Sequence, residues 1–484
     1  MEYDTTRIQM ILNLSDDSVE VTSVEETENS LIAYVQKKEV ICFCDQCGSK
    51  MESKGPRYRK VNHPILQDGR ALQLMVKTRK WYCNSCNIYR YDSFNFVEKY
   101  NQSSNLTILM ILDQLKDLNL SFVQIAKNMN VSDTTIHETF MRFVDIPRLS
   151  LCRVLCIDEV YLKFDADNLY SVVLMNWETG DIIDILPNRF KSTLESYLCK
   201  IPRDERNVVE YLVSDMYDTY SDLCGKNSWF RNATSVIDCF HHTQPIITRI
   251  NSYIIQIKKA YQKRDREKLK DENYRNNRNW KTRKDSREVH LLKHYDYFLL
   301  KNHDDIDFTP RYRHIKGRGG GYMFIPEKVE AEFMALDKNF PVILEQKEMY
   351  IHFTHNHQND PTGAAEELDK LIAFYHESQL AMFREFANIL ADHRDGIIAS
   401  FTFLKADRSE ANNEVLRRIS NGPLESFNNV PKDYKRQSNG VRNFKCTRNR
   451  ILWACRKDPV VMAIPYPREK VHTSGKPRGP YKKG

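Results

Sequence analysis

No stretch of this 484-residue sequence stays apolar for the roughly 20 residues that a membrane-spanning helix requires. The opening MEYDTTRIQM likewise lacks the basic segment and apolar core of a secretory leader. The expectation is a cytosolic protein without a membrane partner. Thiols stay reduced in that compartment, so the 12 cysteines do not imply a disulfide framework, and closely spaced pairs among them point to metal. Strong overall charge is missing too, the formal net being +7. What is present excludes a disordered chain. With 41% apolar and 11% aromatic residues, the sequence can fill a sizeable core, and its length suits two or three domains.

The modest net charge hides a local excess. From Lys432 to Gly484 there are fifteen lysines and arginines against three acids, so the remainder is slightly acidic. Phosphate backbones respond to local cation density, which makes a polyanion the expected partner of this end. A solvated basic tail is the plainer alternative.

Two cysteine pairs have metal-ligand spacing: Cys44 and Cys47 in FCDQCGSK, then Cys83 and Cys86 in KWYCNSCNIYR. A two-residue spacer lets both thiolates of a tight turn face one ion, and two such turns complete the tetrahedral sulfur shell of structural Zn2+. Gly48 suits the left-handed turn after the first pair. PRYRKVNHPI and ALQLMVKTRKWY read as strands between the pairs, giving a zinc ribbon over residues 1–100. Cys42 is not needed as a ligand. Cys152, Cys156 and Cys199 are expected to be buried reduced thiols.

In NLSFVQIAKNMNVSDTTIHETFMRFV, residues 119–144, apolar positions at Phe122, Ile125, Ala126 and Met129, then Ile136, Phe140 and Phe143, describe two short helices packed through one face. Ser132 is placed to cap the second. A helix-turn-helix over 101–150 would present Thr134, Thr135 and His137 to a major groove. A plain helical hairpin has the same periodicity.

Beyond DIPRLS the pattern becomes that of strands. CRVLCIDEVYLKF, NLYSVVLMNWETG and DIIDILPNRF are followed by a helix, a strand ending in SDMYD, another helix and the strand ATSVIDCFHH. That order predicts an RNase H-like α/β core whose first part spans 151–245. Asp158 then lies within strand one, and Asp215 ends the neighbouring strand four. A carboxylate in an apolar strand is costly unless paired or metal-bound. Successive strand residues face opposite sides, so Asp158 is assigned to the site and Glu159 to a supporting or surface role. Asp218 reads as a helix-start acid. Divalent-metal chemistry on phosphates commonly takes three carboxylates. The third candidate is Glu425, in the first turn of a helix opened by Gly422 and Pro423 and continued by Lys432, Lys435 and Arg436, cations suited to holding DNA. An ordinary first-turn glutamate is its bland alternative.

Taken together, the paired cysteines, the helix-turn-helix, IDE, SDMYDTY, DCFHH and SNGPLESFNNVPKDYKRQSNGVRNF resemble the ISL3 family of DDE transposases of bacterial insertion sequences. The resemblance spans nearly the whole chain, and its most specific part is the last run, N-G-x-x-E followed by basic residues and G-x-x-N-F. Ser426 and Phe427 depart from the family's usual glycine and small residue, which bears on helix packing. The resemblance implies Asp158, Asp215 and Glu425 as a triad for Mg2+ or Mn2+, with Asp238 and His241 in support. A buried strand-end Asp238 paired to His241 is the structural alternative. Also implied are binding to the terminal inverted repeats, strand cleavage and transfer into target double-stranded DNA, and a homo-oligomeric synaptic complex in the bacterial cytosol, associated with the nucleoid. A domesticated DNA-binding regulator and a nuclease on the same fold are the rival readings.

The distance from His241 to Glu425 exceeds what such a core needs, so 246–415 reads as a helical insertion, 416–460 as the returning core segment and 461–484 as a basic tail. KKAYQKRDREKLKDENYRNNRNWKTRK reads as one long charged helix. His352, His355 and His357 carry no ligand-spaced companion and are not assigned to a metal.

Overall fold

The computed structural model describes residues 12–14, 16–39, 41–64, 70–99, 101–268, 270, 285–314, 320–407, 415–438 and 442–471. They are mixed α and β and form two compact, discontinuous units. One comprises Met1–Arg148, Tyr161–Leu169 and Asn429–Gly484; the other, Leu149–Val160 and Tyr170–Asn428.

The first unit is built on a five-stranded sheet. Strand β1 (Val19–Glu26) pairs antiparallel with β2 (Ser30–Lys37), while β3 (Glu52–His63) pairs antiparallel with β4 (Ala71–Cys83), and β2 joins β4 in parallel. Strand β5 (Ile88–Tyr91) adds to the far end of β4. Leu72, Leu74 and Val76 alternate along β4 and meet Val19, Val21, Ala33, Val35 and Val61 in a buried core, as the two-residue period of a half-covered strand requires. The β1–β2 hairpin enlarges the sheet beyond the two strands read from sequence.

At the end of β4 the four thiols converge. Cys44, Cys47, Cys83 and Cys86 place their sulfurs within 4.8 Å of one another, and Cys47 Sγ lies 3.5 Å from Cys83 Sγ. A tetrahedron with Zn–S near 2.3 Å has edges of roughly 3.8 Å, so the cluster fits a structural zinc. Gly48 adopts φ +68, the left-handed turn expected of it. Hydrogen bonds from Ser49 lower the Cys47 thiol to about 6, and neighbouring Cys47 pushes Cys86 up to about 12, so thiolate forms first at the exposed member. Cys42, half-buried against Met51, stands outside the group.

Helices Asn105–Gln114, Phe122–Asn128 and Asp133–Phe143 follow. Ser121 and Gln124 form a reciprocal capping box that starts the helix Phe122–Asn128, and Ser132, accepting from Thr135 N, starts the next. Ile125 and Ala126 face Ile136 and Phe140 in the interior. The late helix Phe444–Cys455 closes this unit: Trp453 Nε1 donates to Leu112 O (2.8 Å) and Asn449 Nδ2 to Val144 O (3.2 Å).

The second unit centres on a sheet of order β10-β9-β6-β7-β8. Its strands are β6 (Val154–Tyr161), β7 (Tyr170–Asn176), β8 (Ile182–Leu186), β9 (Tyr211–Ser214) and β10 (Thr234–Ile237). β7 and β8 are antiparallel, whereas β6, β9 and β10 run parallel. Between β10 and Glu425 lies a largely helical body. Its spine is the 30-residue helix Cys239–Lys268, whose Ile246, Ile250 and Ile254, four residues apart, share one buried stripe with Phe333, Phe340, Tyr350 and Phe386. A two-stranded hairpin, β11 (Arg311–His314) and β12 (Gly321–Phe324), interrupts the helices.

Several expectations meet corrections. Cys199 is exposed, since it caps helix Lys191–Leu198 at its open end rather than facing the core. His352 and His357 do have carboxylate neighbours, Asp304 at 3.2 Å and Glu367 at 2.6 Å, but these sit apart, each holding its own histidine. Residue 269 and residues 271–284 of the charged helix, and 472–484 of the basic tail, lie outside the described residues.

Elemental analysis should return one zinc per chain. Cys83→Ser, which removes a fully buried thiol, should abolish that zinc and lower the melting temperature; a full equivalent retained by the variant would refute the four-thiolate site.

Candidate active site

Three acids stand in a row across three adjacent parallel strands, Asp158 within β6, Asp215 directly after β9 and Asp238 directly after β10. In the pairing of β6 with β9, Cys156 stands opposite Val213; Asp158 and Asp215 each lie two residues further on. In the pairing of β9 with β10, Ser214 stands opposite Ile237, so Asp238 continues the row beside Asp215, its N–H donating to Ser214 O at 3.2 Å. The carboxyl ends of parallel strands are where open α/β sheets place their ligand sites.

Asp158 sits behind the buried run Val154–Ile157, its Oδ2 accepting from Asn428 Nδ2 at 2.8 Å. Burial pushes its carboxyl up to about 6, and the charges of Asp215 and Glu425 add to the rise while His241 opposes it. Adjacent Glu159 points elsewhere, as strand alternation demands. It is held by Arg189 Nη1 (2.8 Å) and Tyr220 OH (3.0 Å). Asp215 Oδ1 accepts from Tyr217 N at 3.1 Å, while Asp218 opens the one-turn helix Asp218–Ser221.

Glu425 comes from far along the chain, on the short helix Gly422–Phe427 with Pro423 in its first turn. Its Oε1 lies 3.4 Å from His241 Nε2, which is buried and makes no hydrogen bond among the described residues. Asn421 anchors that helix: its N–H donates to Asp238 Oδ2 (2.7 Å) and its Nδ2 to Ile157 O (3.1 Å). Asp238 therefore does not pair with His241. Its second oxygen accepts from Phe240 N at 2.9 Å, which leaves His241 free to face the glutamate.

Asn421 and Asn428 are functional residues that no local pattern reveals, since their partners lie 264 and 270 residues away. Both keep a buried Oδ1 without a hydrogen-bond partner among the described residues. Beside Asp215 and His241 opens a cavity of about 580 Å³, walled further by Tyr217, Arg249 and His393. Among the described residues, the four thiols gather metal-type ligand atoms within 4.8 Å; the acids are not drawn together that tightly.

Of the other sequence-derived candidates, Thr134 is exposed, Thr135 is half-buried at its cap, and His137 lies edge-on to Phe122. Lys432 reaches solvent, Lys435 lies 4.2 Å over the Tyr161 ring, and Arg436 pairs with Asp433 at 2.5 Å.

A model of the ISL3 family of DDE transposases, described as a transposase, matches residues 155–451, more than half of the chain. The chain belongs to this family. The match begins inside β6 and encloses every acid of the cluster. No curated protein matches. Membership makes this transposase a DNA-processing, DNA-binding protein. Among its described residues, no helix is long and apolar enough to cross a membrane.

The raised Asp158 carboxyl gives a pH test. Between its ordinary 3.8 and about 6, the folded chain keeps a proton that the unfolded chain has released, so the contribution is full at low pH and lost as pH rises through about 6. In metal-free melts this contribution should therefore decline from about pH 4 to about pH 6.5, and Asp158→Asn should flatten the decline and melt higher than wild type at the upper end. A lower melting temperature there would show that the carboxylate is already compensated.

Proposed function

We propose that the chain is a DDE transposase that binds the terminal inverted repeats of its own element, cleaves there and transfers the freed ends into target DNA. The proposal takes the second unit as an RNase H-like core bearing the triad Asp158, Asp215 and Glu425, interrupted by its helical body. The helix pair Phe122–Asn128 and Asp133–Phe143 is taken as a helix-turn-helix. The observation that carries the reading is the gathering of neighbouring acids, Asp158 on β6 and Asp215 after β9, with a glutamate more than 200 residues away.

The donor set fits divalent cations. Carboxylate oxygens are the ligands that Mg2+ and Mn2+ prefer, and the elevated Asp158 carboxyl marks negative charge awaiting a counter-ion. Two ions roughly 4 Å apart need ligands spread wider than a single tetrahedral shell, which agrees with acids looser than the thiols. When bound, such ions polarise the scissile phosphate and lower the pKa of an attacking water.

The protein's own groups set the geometry. Asn428 holds one oxygen of Asp158, leaving the other to turn toward a ligand. His241 stands against Glu425 and is placed to orient it or to carry a proton at Nε2. Glu159, neutralised by Arg189 and Tyr220, supports β6 without competing for a cation.

Incubating the full chain with Mg2+ and a duplex containing an element end should give nicks at the boundary followed by joined products. Amide variants at Asp158, Asp215 and Glu425 should each lose on the order of a thousandfold in rate. Mg2+ should raise the melting temperature of wild type and not of Asp158→Asn, a readout independent of turnover. Cleavage that persists in all three variants would refute the triad. Cutting without joining would favour a nuclease, and binding without cutting a regulator.

A further inference from the structure

The first unit contains a cavity of about 290 Å³ whose lining includes Ser121, Ser438, Arg442, Thr447 and Arg450, with no carboxylate among its lining residues. Arg450 is completely buried. One nitrogen, Nη2, donates to the main-chain oxygens of Asp117 (2.8 Å) and Leu120 (3.1 Å). The neutral Tyr434 hydroxyl also interacts with the guanidinium, but Nε and Nη1 make no well-formed hydrogen bond and no carboxylate stands within ion-pair distance among the described residues. The Phe122 ring is 5.9 Å away, and Asp117 acts only from a distance. Burial lowers the guanidinium to about 10, which leaves it charged at neutral pH.

A buried cation whose partners are two carbonyls and a neutral hydroxyl, with no anion beside it, is costly, and a carbonyl clamp needs only one of its nitrogens. The clamp alone therefore does not explain the residue. An anion in the cavity does, with hydroxyls of Ser438 and Thr447 and the Arg442 guanidinium lining the same space. The space admits a phosphodiester with a few waters and is small for a drug-sized ligand. Ser438 directly follows the helix Asn429–Gln437, whose Lys432, Lys435 and Arg436 extend the positive surface.

We propose that this cavity receives one phosphate of a DNA backbone, with Arg450 supplying charge from its floor. The inference rests on the reading of this unit as DNA-binding. Such a contact carries no sequence information and fixes the register of the duplex against the short helix Phe122–Asn128.

Binding of the full chain to a duplex of its element end and to an unrelated duplex, from about 50 to about 200 mM salt, tests the site. Arg450→Met should weaken both duplexes by the same factor, on the order of tenfold, and reduce the slope of log affinity against log salt by about one. Without DNA its melting temperature should not fall, because an uncompensated charge has been removed. Unchanged affinity and slope with a lower melting temperature would make Arg450 a structural clamp and overturn the proposal. If Arg450→Met does not fold, Ser438→Ala combined with Thr447→Val should weaken both duplexes equally, and no loss there would also overturn it. Inorganic phosphate that competes beyond ionic-strength-matched chloride would extend the site to free phosphate; equal competition restricts it to the polymer. A wild-type chain that binds neither duplex would defeat the DNA-binding reading itself, whereas wild-type binding matched by the variants defeats only this site.

Discussion

Two hydrogen bonds from Asn421 govern the arrangement of the acids. Its main-chain N–H reaches Asp238 at the end of β10, and its side-chain amide reaches the Ile157 carbonyl in β6. Through them the helix bearing Glu425 is tied to two strands of the sheet after an excursion of more than 180 residues. Asn421 is fully buried, so both bonds form away from competing water, where an unmade bond costs more than a made one contributes. A one-turn shift of that helix would carry Glu425 off the row of strand ends. The large helical body can therefore be inserted without loosening the site, because its return is pinned at the residue that precedes the glutamate's helix.

The electrostatics of the cluster follow from that pinning. Burial raises the proton affinity of Asp158, and the charges of Asp215 and Glu425 brought beside it add to the rise. His241 offsets part of this from beside Glu425. Asn428 meets the remaining need in a neutral way, donating to Asp158 without cancelling its charge. An arginine there would hold the carboxylate more strongly and satisfy it, leaving less for a cation.

Much of this was legible in the sequence because it depends on local period and spacing. The C-x-x-C pairs, the cap at Ser132, the alternation that separates Asp158 from Glu159 and the Pro423 helix start are all short-range signals. What stayed hidden was long-range. Nothing local distinguishes Asn421 and Asn428 as hydrogen-bond partners of a strand hundreds of residues earlier, and the alternative of an Asp238–His241 pair rests on closeness in sequence, whereas Asn421 is close only in space. The β1–β2 hairpin escaped for another reason: its strands are half-exposed and polar, so their alternation is weak. Cys199 misled because an apolar helical context does not reveal which side of the last turn faces solvent.

An uncompensated charge in a buried place separates residues that serve the fold from residues that await something else. Glu159 and Asp158 are adjacent on one strand and both partly buried, yet Glu159 has an arginine and a tyrosine while Asp158 has an uncharged amide and two acidic neighbours. Were both carboxylates structural, the same pressure to neutralise them would act on both, and β6 would be expected to hold two ion pairs. Arg450 poses the mirror image, a buried cation held by carbonyls and a neutral hydroxyl with no carboxylate beside it among the described residues. Folding alone would be served better by an apolar side chain at either position. Retaining the charge is consistent with a partner of opposite sign that arrives after folding, and for a DNA-processing protein the two natural partners are a metal ion at the acids and a phosphate at the arginine.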